Sequence, residues 1–132
     1  MTSQRSWILL TALSGLAACS QGSSPAARDA GSGIYDGSCA ACHQQTALGV
    51  AGVYPSLSGS PVVLGDPAAL ARWVMKGVRP ASMPAGRYPS AMPQFGWMKP
   101  ADAAALFTYL RSHFGNHAPA VDPAAMTAAL GD

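Results

Sequence analysis

Apolar side chains recur at helical spacing in two stretches of the chain. Leu70, Trp73 and Val74 fall on one face between residues 67 and 77, and Ala103, Leu106, Phe107, Leu110 and Phe114 fall on one face between residues 100 and 114. Each stretch is punctuated as a helix should be. Asp66 is a capping residue ahead of Pro67, Gly77 is a stop, Pro100 suits a first helical turn, and Gly115 follows Phe114. The spacing therefore predicts helices over Pro67–Gly77 and Pro100–Phe114. Arg72 and Lys76, four residues apart, take the solvated face of the first. Ala124–Leu130 reads as a short terminal helix, and residues 80–97 as a Pro-rich loop. No alternating β-branched runs occur from which a sheet could be built.

The beginning of the chain has a different pattern. Arg5 precedes the apolar run Trp7–Leu16, which is too short to span a bilayer as a permanent helix and ends in small residues, so residues 1–18 read as a secretory signal. Leu16-Ala17-Ala18-Cys19 resembles a lipobox, in which the cysteine is acylated and becomes the new terminus. Cys19 is then the lipidation site and membrane anchor, and Ser20 after it favours the outer membrane. Ordinary cleavage after an A-x-A-like site is the alternative. Residues 20–32 carry no apolar period, so 19–32 read as a tether, 33–116 as the compact domain and 117–132 as a C-terminal extension.

Composition narrows the class. Hydrophobic residues make up 49% of the 132, but 26 of them are Ala, so bulky core-forming side chains are scarce and one small domain is the ceiling. Charged residues are only 11%, with no Glu, and the net charge of +2 is too small and scattered for a surface that tracks phosphates. Nucleic acid is not an expected partner.

The chemistry sits at Cys39-Ala40-Ala41-Cys42-His43. This is C-x-x-C-H, the attachment pattern of c-type haem: two thiols one helical turn apart reach the two vinyl groups, and the adjacent imidazole reaches the iron. Other chemistries compete for these residues. His113 and His117 complete a nominal two-Cys, two-His zinc set, but 70 residues separate the pairs where common fingers use roughly 12 to 15. A thioredoxin-like thiol pair needs a strand and helix alternation that is absent. A haem also supplies the core that an Ala-rich domain otherwise lacks.

Beyond this motif, residues 31–116 resemble the monohaem class I cytochrome c family. The resemblance runs through Gly31 and Tyr35 before the motif, Tyr54-Pro55-Ser56-Leu57 after it, Tyr88–Gly96 with its Met92-Pro93-Gln94-Phe95, and Thr108–Ser112 with Gly115-Asn116. The last two segments are similar to cytochrome c subunits of periplasmic alcohol and sugar dehydrogenases and related oxidase chains. The resemblance implies an all-α small cytochrome c fold, with three core helices around one covalent haem c and long Pro/Gly-rich loops. It implies that Gly31 and Tyr35 mark where the first helix crosses the last. It also implies that Cys39 and Cys42 bond the haem, that the Pro55 carbonyl accepts a hydrogen bond from His43, and that Leu57 covers the haem. His43 is one axial iron ligand.

For the other axial position the residues offer Met75, Met83, Met92, Met98 and Met126. Met75 and Met98 fall in or beside predicted helices and Met126 in the tail. Of the two in the Pro-rich loop, the Met-Pro-x-Phe match assigns Met92 over Met83. The function implied is periplasmic electron transfer in a Gram-negative bacterium by a lipid-anchored protein that is itself no enzyme, from a donor dehydrogenase to an acceptor oxidase or reductase. A haem c subunit of a larger oxidoreductase, or a haem protein with a labile sixth ligand that binds small ligands or reduces peroxide, is the alternative.

Overall fold

The computed structural model describes residues 25–131; Cys19 and the signal segment lie outside the described residues. Six helices follow in order: α1 Pro25–Ser38, α2 Ala40–His43, α3 Pro61–Leu64, α4 Pro67–Lys76, α5 Pro100–Ser112 and α6 Pro123–Leu130. Among the described residues there is no strand, only an isolated antiparallel bridge between Val50 and Tyr54. The all-α class expected from the sequence is the one observed.

Helix α4 starts and stops as its punctuation dictates. Asp66 accepts from the Ala68 and Ala69 amides at 2.9 and 3.2 Å, and Gly77 closes the helix at φ +70°, a left-handed conformation open to glycine at little cost. Helix α5 stops two residues before the expected Phe114. His113 is extended and Phe114 takes φ +58°, so the apolar period carries across a chain reversal that it cannot register.

The larger departure is α1, which begins at Pro25, inside the stretch expected to be tether. Its crossing of α5 turns on a glycine, which adds nothing to an apolar period, and that is why the period missed its start. Gly31 is buried where a Cβ would run into the Ala105 carbonyl oxygen and come within 2.7 Å of the Tyr109 Cβ, so α1 crosses α5 at backbone distance. Beside that crossing Tyr35 is fully buried, with its ring 5.1 Å from Phe114 and 5.9 Å from Tyr109.

The C-terminal segment is built into the same core. Met126 and Val121 are buried with Leu70, Val74, Met75, Leu106, Phe107 and Leu110, and α6 packs on α4 and α5. Two polar side chains of α5 hold the approach to it. Thr108 Oγ1 accepts from the Val121 amide at 2.9 Å, and the buried Arg111 donates to the Pro119, Val63 and Gly65 carbonyls at 3.0, 2.7 and 2.8 Å. Burial lowers the Arg111 pKa from its usual value, and the Asp66 charge opposes that shift. No helix among the described residues is long and apolar enough to cross a membrane.

Candidate haem site

The motif lies where α1 runs almost directly into α2. The Cys39 amide bonds the Tyr35 carbonyl at 2.8 Å, and one further turn brings the Cys42 and His43 amides onto the Cys39 carbonyl at 3.1 and 2.9 Å. Cys39 and Cys42 are therefore three residues apart on a single turn. Both are free, half-buried thiols, and His43 is buried. Burial, reinforced by Cys42, pushes the Cys39 thiol up to about 11, so it stays protonated at neutral pH. Burial likewise carries Tyr35 up to about 12, with Cys39, Tyr109 and Asp36 adding to it, and the neutral phenol donates to the Gln44 carbonyl at 2.6 Å. That bond ties the end of α2 to the α1–α5 crossing.

His43 is held as an iron ligand should be. Its Nδ1 lies 2.9 Å from the Pro55 carbonyl oxygen; since a carbonyl can only accept, Nδ1 carries the proton. Burial lowers the His43 pKa against the pull of that same bond, which favours the neutral ring. Nε2, the other nitrogen, has no hydrogen-bond partner among the described residues. A neutral imidazole with Nδ1–H on a carbonyl and an unengaged Nε2 is the tautomer that binds metals.

The Pro55 carbonyl is itself fixed from the motif side. Gly49 (φ +66°) passes so close to the Tyr54 and Pro55 carbonyls that a Cβ would collide with both. The Gly49 amide bonds the His43 carbonyl at 2.9 Å, and the Val50 and Tyr54 amides close a tight turn. Leu57 is half-buried and packs on the core, with its amide on the Ala47 carbonyl at 2.8 Å. The sequence singled out Pro55 and Leu57; it gave no hint of Gly49.

The methionines sort by burial. Met75, Met98 and Met126 are sealed in the core at 5%, 4% and 0% exposure. Met92 is half-buried and packs against the core beside Phe95, whereas Met83 is half-buried without being part of that packing. The Met92 segment is fastened by the Phe95 amide on the Val74 carbonyl at 3.0 Å and by Gln94, which lies against Gly77.

These residues fit a covalent haem. Two thiols sit on one turn beside a neutral imidazole with one nitrogen unengaged, and a half-buried thioether stands in the loop packed on α4. Leu48, Val50 and Val53, just beyond the motif, are left exposed despite being apolar, as suits a loop flanking a large apolar group. The zinc alternative has no support: among the described residues no three His, Cys, Asp or Glu side chains cluster for a metal. His113 is engaged elsewhere, with Nδ1 3.0 Å from the Tyr109 carbonyl and its ring stacked 4.2 Å from that of Tyr109.

Comparison with known proteins points to the same cofactor. The family model described as Cytochrome c matches residues 29–114. The cytochrome c subunit of alcohol dehydrogenase (quinone) from Gluconobacter oxydans (strain 621H) is 34% identical over 96 residues, covering 69% of this chain and 20% of the relative. The subunits of the same description from Gluconacetobacter polyoxogenes and Komagataeibacter europaeus are each 35% identical over 107 residues, covering 77% of this chain and 22% of theirs. The chain spans about a fifth of the length of these curated relatives.

Proposed function

The chain belongs to the cytochrome c family, and on that premise we propose that it is a one-electron carrier whose haem is bonded by Cys39 and Cys42 and ligated by His43 and Met92. Its cofactor is covalently bound haem c. The observation that carries the reading is the His43–Pro55 bond at 2.9 Å on the motif turn, which leaves Nε2 as the donor nitrogen. Haem held there supplies reversible Fe(III)/Fe(II) exchange. The chain's own residues do the rest. His43, steadied by Pro55, offers a basic nitrogen of fixed orientation; Met92 offers a soft sulfur that favours the reduced metal; Leu57 and the apolar loop keep water away.

With two protein ligands the iron has no open position, so this reading makes the protein a carrier and not a catalyst. Carbon monoxide added to the reduced protein tests it. Slow or negligible binding is expected, and rapid, complete binding would instead favour the labile-ligand alternative.

The donor in this reading is a dehydrogenase, by likeness to the alcohol dehydrogenase (quinone) subunits, and the acceptor is an oxidase or reductase. Service as a haem c subunit of such a complex is the second reading, favoured by the same likeness. The Leu16–Cys19 pattern supports a periplasmic location with a lipid anchor at Cys19, on the outer membrane by virtue of Ser20. Replacing Cys19 with Ala is expected to release a soluble cytochrome with an unchanged spectrum; persistent membrane association would refute the anchor.

A further inference from the structure

We propose that Asn116 is a positioning residue for the iron ligand: from the far end of α5 it clamps the loop whose Pro55 carbonyl sets the His43 ring. The inference rests on the reading of His43 as an axial ligand. Asn116 is 1% exposed and uses its whole amide. Its Oδ1 accepts from the Gly59 amide at 2.8 Å, while Nδ2 donates to the Leu57 carbonyl at 3.2 Å and to the Leu110 carbonyl at 2.8 Å. Ser58, between the two clamped residues, donates its hydroxyl to the Phe114 carbonyl at 2.7 Å. Three consecutive residues, 57 to 59, are thus pinned to the turn at 114–116.

That turn is closed by a backbone bond of its own. Phe114 (φ +58°) and Gly115 (φ +77°) both take left-handed backbone, and the Asn116 amide returns to the His113 carbonyl at 2.9 Å. The geometry turns the chain back on α5, so that Nδ2 reaches the Leu110 carbonyl. Phe114 meanwhile packs on Tyr35, whose hydroxyl holds the end of the motif turn. The His43 ring therefore lies between two supports that meet at residues 114–116. One runs through Tyr35 to Gln44, and the other through residues 57–59 to Pro55.

A clamp of this kind acts through the lifetime of the Nδ1–H bond. If Pro55 drifts, the bond opens more often, and the imidazole loses both its orientation and part of its basicity.

The test uses the full haem-loaded protein with Asn116→Leu, which preserves bulk and removes all three bonds. Exchange of the His43 Nδ1 proton with solvent, measured by NMR well below the unfolding midpoint, is expected to quicken about tenfold, roughly the net contribution of one of the three bonds removed, since only part of the clamp's loss reaches Pro55. The spread of haem methyl shifts in the oxidised protein, which reports ring orientation, is expected to change with it. Thr108→Val removes the bond to Val121 from the same helix and is the control for a merely structural loss. It is expected to lower stability while leaving both readouts alone.

Unchanged exchange in Asn116→Leu, or equal acceleration in both variants, would overturn the proposal. Should Asn116→Leu not fold, Ser58→Ala, which removes a single bond at the rim, is expected to give a smaller change of the same kind, and no change there would overturn it. If the parent protein shows no iron-shifted His43 ring proton, the ligand premise falls, and the inference with it.

Discussion

The two sides of the haem site are built in opposite ways. From Cys39 to Gly59 nearly every turn is closed by a hydrogen bond: the motif turn on Cys39, the Gly49 amide on His43, the Val50–Tyr54 turn and Leu57 on Ala47 by bonds within the segment, and residues 57–59 by the long-range clamp onto Asn116. The loop at 77–99 is Pro-rich and more sparsely fastened: Val78 on Arg72, Phe95 on Val74, Met98 on Phe95, Met83 on Pro80, Gln94 against Gly77, and Arg79 donating to the Pro84 carbonyl at 3.2 Å and lying over the Trp73 ring. A ring nitrogen must present one atom in one orientation, and a carbonyl partner 12 residues along the chain must hold it there. A thioether on an unbranched, three-torsion side chain reaches its target from many backbone positions. If His43 and Met92 are the two ligands as proposed, dense hydrogen bonding on the His43 side and sparser fastening on the Met92 side follow from that difference.

Breaking the rigid side should have the largest effect. Replacing Cys39 and Cys42 together by Ser removes both covalent links, so haem is expected to become fully extractable in acidified acetone, where the parent protein keeps it. Haem that stays bound after the double replacement would mean that the pair is not the attachment point. On the looser side, Phe95→Ala deletes the half-buried anchor beside Met92. The expected loss is about 2 kcal/mol, below that of a fully buried ring, read as a lower denaturant midpoint. A loss as large as a core Phe gives, on the order of 4 kcal/mol, would show that the loop is as tightly integrated as the motif side and erase the contrast.

Much of this arrangement was legible in the chain. The helical period with its Asp66, Pro67, Gly77 and Pro100 punctuation located α4 and α5, because local propensity and burial agree there. The C-x-x-C-H spacing located the motif, because its chemistry demands adjacency in sequence. Helix α1 was misjudged toward its start, since Gly31 packs by having no side chain and no hydrophobic scale registers that. Asn116, Arg111 and Ser58 were not singled out. Each acts by bonding carbonyls and amides 46 to 59 residues away for the loop contacts, and no local pattern encodes such partners. Gly115-Asn116 did stand in the family resemblance; what it could not convey was that the amide closes on Leu57 and Gly59.

The assignment of His43 and Met92 as the two axial ligands is tested most directly by the sulfur-to-iron charge-transfer band of the oxidised protein, compared between Met92→Ala and Met83→Ala. Met92 packs on the core beside Phe95 and Met83 does not. The band is therefore expected to vanish in Met92→Ala, with a lower reduction potential, and to persist in Met83→Ala. The reverse pattern would move the ligand to Met83, and a band that survives both replacements would contradict a loop methionine at this position.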